Sequence, residues 1–464
     1  MKRKGLNFNT LAMIFAVVAM VAAVTWIVPG GEYTRILKEG KTLVVPGSFH
    51  AVESAPQGIG ALMVAPVRGF IDASHIVAFL FVIGGSFMVI TKTGAVSVGV
   101  RRLGDAFART PRLQKFFIPV TMTVFSLAGG IFGMSEETLP FVLIFIPLAM
   151  SLGYDSIVGT AIPFLGAASG FAGSVLNPFT VGIAQSIAEL PLYSGIEYRM
   201  FVWVLSTTCM IIFVSRYAER VKKDPTKSPV YDLDQQRLRA PGVAEEDPGA
   251  LTGRQKGVLY LFAGTILFLV VGILEFKWYI NEIAGLFLAL GIVAGLIGGL
   301  KTDQFTTAFL EGARDMVGVA LIIGCARAIL VIATEGKILD VMLHGLASII
   351  ANAHPVVAAQ AMFVTQGIIN FFVHSGSGQA ALTMPVMAPL ADVVGISRQT
   401  AVLAFQFGEG WINPILPTSG VTMGVLGLAG ISWNTWFRWM LPAQIFFYIL
   451  ALLLLIPPYF INYH

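Results

Sequence analysis

Uncharged stretches long enough to cross a lipid bilayer recur from one end of this chain to the other. A helix needs about 20 apolar residues to span the hydrocarbon layer. Of 464 residues, 56% are hydrophobic and only 12% are charged, roughly half the charged share of an ordinary soluble domain. Lipid is therefore the solvent, and helices satisfy the backbone there. The first stretch runs from Asn9 to Gly31, behind Lys2, Arg3 and Lys4. Its apolar core is long and no small-residue cleavage site precedes "TWIVPGG", so it reads as a retained transmembrane helix with a cytoplasmic N-terminus. Cys209 and Cys325 lie singly in apolar runs, which suits buried thiols rather than a metal site or disulfide framework. A formal charge of +4 says little about partners, since basic residues gather in cytoplasmic loops; no nucleic acid is expected.

Residues 216–256 break the pattern. They are charged, Pro-bearing and poor in apolar residues, and read as a cytoplasmic basic linker. The linker separates an N-terminal membrane repeat, residues 1–215, from a C-terminal one, residues 257–464, with one extra leading helix. "VITKTGAVSV" matches "VIATEGKILDV", aligning Gly94 with Gly336, and "PFTVG" matches "SGVTMG", aligning Gly182 with Gly424 at the same offset. "GMSEETLP" and "GQAALTMP" share Gly-x4-Thr-x-Pro. A near-constant offset in three places indicates an internal repeat. After Thr91 come Lys92, Arg101, Arg102, Arg109, Arg112 and Lys115; after Thr334 only Lys337 precedes Pro355. Positive-inside reasoning puts these two stretches on opposite sides, so the repeat is read as inverted, a recurring plan of secondary transporters.

Several apolar stretches are the wrong shape for plain spans. "FFVHSGSGQAALTMP" places an uncharged polar strip, Ser375 to Gln379, inside apolar sequence, and "GMSEETLP" is its counterpart in the other half. "GAASGFAGSVLNPFTVG" and "FQFGEGWINPILPTSGVTMG" put Gly, Pro, Asn and Ser in mid-span. Broken helices survive in a membrane only when buried in protein or lining a wet cavity. Gly and small residues also serve tight helix packing. Four polar, Pro-broken segments paired across a repeat favour a substrate site instead. The two strips are read as tips of re-entrant hairpins.

Glu136, Glu137, Glu409 and Arg327 are charges in apolar surroundings, costly unless they face a partner or a cavity. Glu409, between Gly408 and Gly410, is either a substrate or proton ligand or half of an ion pair with Arg327. Of the adjacent Glu136 and Glu137, only one is expected to face the site. His374 is a donor candidate or a hydrogen-bonded helix end, and "WNTWFRWMLP" reads as an interfacial aromatic belt.

"HSGSGQAALTMPVMAPLAD", "LAFQFGEGWINPILPTSG" and "GMSEETLPF" together resemble the anaerobic four-carbon dicarboxylate carrier family, in its basic amino acid antiporter branch, related to arginine/ornithine exchangers. The similarity covers nearly the whole chain. It implies the fold of the ion transporter superfamily: all-α and polytopic, with two inverted repeats, re-entrant hairpins and broken helices, commonly a homodimer working by an elevator mechanism in the cytoplasmic (inner) membrane. By that resemblance Ser135, Glu136, Glu137 and Thr138, with Ser375, Gly376, Ser377, Gly378 and Gln379, form the hairpin tips. Ser174, Asn177, Asn413, Thr418 and Ser419 lie on the facing broken helices. In relatives, Ser-Asn-Thr strings at such places bind sodium and substrate carboxylate; this chain carries "SVLNP" and "LPTSG" there. Ser174, Asn177, Glu409, Thr418 and Ser419 are the expected ion-coupling groups, for sodium or a proton, with no other cofactor.

Neither tip carries Arg or Lys, whereas Glu136, Glu137 and Glu409 are present, so a cationic or zwitterionic amino acid fits better than a dicarboxylate. A coupled dicarboxylate carrier is the alternative. Gly376-Ser377-Gly378 also resembles the nucleophile motif of an intramembrane serine protease, chemistry that needs a base within hydrogen-bond reach. The expectation is a transporter and not an enzyme.

Overall fold

A computed structural model describes residues 10–38, 41–95, 98–99, 102, 111–238, 251–276, 278, 280–461 and 463. Arg101 and Arg109, which carried part of the charge argument, and linker residues 239–250 lie outside the described residues. The fold is mostly helical. Among the described residues, seven helices are long and apolar enough to cross a membrane.

Helix α1 (Thr10–Val24) is shorter than the stretch read from the sequence, because the chain turns at Thr25 and enters short strands. Strand β1 (Gly31–Glu32) pairs antiparallel with β4 (His50–Ala51), and β2 (Arg35–Lys38) with β3 (Lys41–Val44). Helices α2 (Ile59–Asp72), α3 (Ser74–Lys92), α4 (Pro111–Phe132), α5 (Leu139–Ser151), α6 (Ser156–Gly173), α7 (Ile183–Ile187) and α8 (Ile196–Lys223) complete the first half. The short α9 (Tyr231–Leu238) follows. Helices α10 (Gly253–Phe276), α11 (Ile280–Gly298), α12 (Thr302–Asp315), α13 (Val317–Glu335), α14 (Leu339–Ile350), α15 (Pro355–Asn370), α16 (Gly376–Val394), α17 (Arg398–Gly410), α18 (Gly420–Leu428), α19 (Trp433–Leu454) and α20 (Pro457–Phe460) form the second.

The two halves exchange contacts reciprocally. α2 packs on α13 and α12 on α3; α1 lies on α13 and α11 on α3; α7 meets α16 and α18 meets α5. Glycines set the crossings. A Cβ on Gly69 would lie 2.3 Å from the Gly324 carbonyl oxygen, and one on Gly312 would lie 2.1 Å from that of Gly84. Inside each half, α4 packs on α6 and α15 on α17, again through glycines: a Cβ on Gly170 would overlap the Ser126 carbonyl oxygen at 1.8 Å, and one on Gly408 would sit 2.6 Å from that of Phe363. Small residues let backbones approach where lipid gives helices no hydrophobic drive to associate.

The segment read as linker is partly docked. α8 runs on to Lys223, and α9 is tied to the ends of α6 and α18. Asp234 accepts from the Ser156 N–H at 2.8 Å at the start of α6, and Arg237 donates to the Ala429 carbonyl just after α18. Both helix ends gain a charge of the favourable sign. Elsewhere, Asp340 of α14 accepts from the Tyr33 N–H at 2.9 Å and pairs with Arg35 at 2.8 Å, tying the strands to the second half.

Candidate functional site

Four interruptions in the helices meet around one cavity of about 550 Å³, within the usual size for small-molecule sites. Two are helix–turn–helix tips. Between α4 and α5 the chain turns through Gly133 (φ +71°) and a tight turn at Glu136–Thr138. Between α15 and α16 it turns through Phe371–Ser375, and Ser375 Oγ caps α16 by accepting from the Gly378 N–H at 3.2 Å. The other two are breaks. α6 ends at Gly173 and resumes as a wide turn at Pro178–Gly182 capped by Asn177; α17 ends at Gly410 and resumes at α18, capped by Ser419.

Opening a helix frees carbonyls, each costing several kcal/mol if left unmade in a membrane. After α17 five of the carbonyls around the break have side-chain donors. Glu409 O takes Asn370 Nδ2 at 2.9 Å, Trp411 O takes Gln444 Nε2 at 2.8 Å, and Asn413 O takes Thr422 Oγ1 at 2.6 Å. Pro414 O takes the Trp436 indole at 2.8 Å and Ile415 O takes that of Trp433 at 2.9 Å. Those tryptophans, expected in an interfacial belt, instead point inward, and Trp436 is fully buried. In the first half Gln406 Nε2 reaches Phe171 O at 2.6 Å, and buried Arg199 donates to the carbonyls of Ser194, Tyr193 and Val175.

Ser135, Glu136, Glu137, Thr138, Ser375, Gly376, Ser377, Glu409, Asn413, Thr418 and Ser419 all line the cavity. Both glutamates of the pair face it, against the expectation of one, because they sit in a tight turn rather than on one face of an α-helix. Glu137 Oε2 also accepts from the Ser135 N–H at 2.9 Å. Glu409 takes Asn413 Nδ2 on Oε1 at 3.3 Å, and its buried Oε2 has no partner among the described residues. Gly376 brings the halves together: a Cβ there would meet Thr180 Cγ2 at 2.5 Å and Glu409 Oε1 at 3.5 Å.

Ser174, Asn177, Gly378 and Gln379 do not line the cavity. Ser174 takes a positive φ (+27°) at the break. Asn177 Oδ1 accepts from the Phe179 N–H at 2.9 Å, and Gln379 Nε2 turns away to Gln366 Oε1 at 2.8 Å. The buried Ser174 hydroxyl and Asn177 Nδ2 have no partner among the described residues. Glu409 and Arg327 do not pair. Arg327 reaches from α13 to Asp72 at the end of α2 and forms its ion pair there, because the two helices cross beside it. His374 Nε2 is taken by Thr418 Oγ1 at 2.6 Å, whereas Ser377 Oγ approaches Ser375 Oγ at 3.4 Å, so that histidine is not poised as a base for Ser377.

Asp72, His75, Phe171 and Thr180 also line the cavity and went unassigned from the sequence. Thr180 lies within the repeated "PFTVG", which was its only signal.

The description C4-dicarboxylate anaerobic carrier matches residues 9–459. The chain belongs to that family. It is 36% identical over 469 residues to the Escherichia coli (strain K12) protein named "Putative basic amino acid antiporter YfcC", covering 93% of this chain and 92% of that one. An uncharacterized protein of Haemophilus influenzae (strain ATCC 51907 / DSM 11121 / KW20 / Rd) is 30% identical over 488 residues, covering 95% of each. Among solved structures, the Alcanivorax borkumensis YdaH transporter aligns at 16% identity and a TM-score of 0.41, over 96% of this chain and 97% of that one. Neisseria gonorrhoeae MtrF aligns at 16% and 0.42, over 97% and 95%. This family member is thus a multi-span membrane transporter.

Proposed function

We infer that this transporter moves a basic amino acid of the arginine or ornithine kind across the cytoplasmic membrane, by antiport and alternating access. The observation that carries this reading is the charge of the cavity wall. Glu136, Glu137, Glu409 and Asp72 line it, against Arg327 as the one Lys or Arg among the lining residues. Four carboxylates to one guanidinium suit a cationic solute, since like charge in a confined site is strongly disfavoured. The solute's carboxylate meets the N-terminus of α16, where Ser375, Gly376 and Ser377 supply hydroxyl and N–H donors. The curated relative's name points to the same substrate class.

The reciprocal contacts between the halves support alternating access. If the halves are inverted, exchanging their conformations moves the shared cavity from one side to the other. In this reading the α4–α5 and α15–α16 turns are re-entrant tips, the N-terminus is cytoplasmic and the assembly is a dimer of elevators. The second reading, a sodium- or proton-coupled carboxylate carrier, is favoured by the N-termini of α16 and α18, both of which open on the cavity. Glu409 Oε2 is then the atom that takes the proton or ion.

Purified protein in liposomes loaded with ornithine should accumulate labelled arginine, and external ornithine should saturate the exchange. Uptake of succinate without exchange of either amino acid would overturn the reading.

A further inference from the structure

Arg327 lines the same cavity from α13. It sits halfway along α13, and the only hydrogen bond its guanidinium makes among the described residues runs from Nε to Asp72 Oδ2. An arginine held through Nε leaves its two Nη groups free as a planar fork, the geometry that grips a carboxylate with two parallel hydrogen bonds. The side chain is 30% exposed and lines the cavity.

The internal repeat supplies a control. The α2–α13 crossing, where Gly69 meets Gly324, has its counterpart where α12 meets α3 through Gly312 and Gly84. There α12 also ends in an aspartate, Asp315, yet α3 carries no ionisable residue between His75 and Lys92. A crossing of this shape therefore stands without an arginine. The charge is an addition made on one side only, where it faces the cavity.

We propose that Arg327 is the specificity-determining residue that binds the α-carboxylate of the solute, with Asp72 as the positioning residue that presents its Nη fork. The solute then bridges two walls. Its carboxylate lies between Arg327 on α13 and the donors at the α16 tip, and its cationic end lies among Glu136, Glu137 and Glu409. The inference rests on the basic amino acid reading of the same cavity.

The test is a binding series on the purified full chain with arginine, arginine methyl ester and agmatine, which keep the cation but differ in the carboxylate. The wild type should prefer arginine to both analogues on the order of 10- to 100-fold, the range for a charge-assisted pair of hydrogen bonds. Arg327→Gln should bring arginine down to the level of agmatine without weakening agmatine. Arg327→Lys, which keeps the charge but not the fork, should recover part of the preference, and Asp72→Asn should narrow the preference for arginine over agmatine. Equal wild-type binding of arginine and agmatine overturns the proposal, as does equal weakening of both by Arg327→Gln. Should Arg327→Gln fail to fold, Arg327→Lys carries the test, and an undiminished preference for arginine in that variant overturns the assignment. If the wild type binds succinate and neither cation, the basic amino acid reading fails separately. Arg327→Gln must then abolish succinate binding, and unchanged succinate binding overturns the assignment.

Discussion

Replacing Gly376 by alanine tests whether the α16 tip seats on the break of the other half. The added methyl would sit 2.5 Å from Thr180 Cγ2, about 1 Å inside ordinary carbon–carbon contact. Thr180 is 1% exposed and β-branched, so it cannot swing clear, and the tip must move. Overpacking of this kind costs about 1–3 kcal/mol. Alanine returns less than about 1 kcal/mol in helix propensity, because the position opens α16 rather than lying inside it. Gly376→Ala should lower the temperature of half-loss of the monodisperse protein, read by fluorescence-detected size exclusion, and slow exchange in liposomes. Thr180→Ser removes only the offending methyl. Combined with Gly376→Ala it should restore about 1 kcal/mol beyond additivity, well above the usual non-coupling scatter of about 0.3–0.5 kcal/mol. A double variant no better than the sum of the single changes would refute the contact.

Gln379 should prove structural. Gln366→Leu removes the Oε1 that accepts from Gln379 Nε2 at 2.8 Å and Thr383 Oγ1 at 3.1 Å, while the amide keeps its bond to Gln366 O at 2.9 Å. The loss should cost about 1 kcal/mol per hydrogen bond, and Gln366→Leu with Gln379→Leu should recover part of it; changed substrate affinity in a folded double variant would contradict this. Burial raises the Asp155 carboxyl above the usual aspartate range, with Asp234 adding to the push, while hydrogen bonds from Tyr217, Ser228 and the Val158 N–H pull it down. A carboxyl whose folded pKa is raised binds its proton more tightly when folded, so it favours the fold at low pH, and that advantage is lost as pH rises from about 4 through the raised value. Asp155→Asn should flatten that decline in a pH series of thermal stability; an unchanged slope would count against it.

The fold was legible where local chemistry decided it. Gly173 and Gly410 end helices because Asn177 and Asn413 follow with prolines behind them, a pattern visible in "SVLNP" and "WINP". Gly94 and Gly336, which the repeated offsets align, both follow the ends of long helices, α3 and α13. The turns between α4 and α5 and between α15 and α16 were legible as polar residues set in apolar runs.

What the sequence did not show depends on partners far along the chain. Arg327 and Asp72 are 255 residues apart, and only the crossing of α2 with α13 joins them. Gln379 looked like a tip ligand by its place beside Gly378, but one helical turn rotates it onto Gln366. The aromatic run near Trp433 has interfacial composition, yet its indoles answer carbonyls that only the broken α17 exposes. The short strands at residues 31–51 also escaped notice, as two- and four-residue pairs leave almost no alternating pattern.

Substrate protection of a cysteine at the α16 tip tests most directly whether the four interruptions form the binding site. In a chain with Cys209 and Cys325 replaced by serine, Ser377→Cys should react with a thiol reagent. Saturating arginine should slow that reaction, half-maximally at the concentration that half-saturates exchange, and succinate should not. Labelling unaffected by arginine, in a variant that still exchanges it, would place the solute elsewhere.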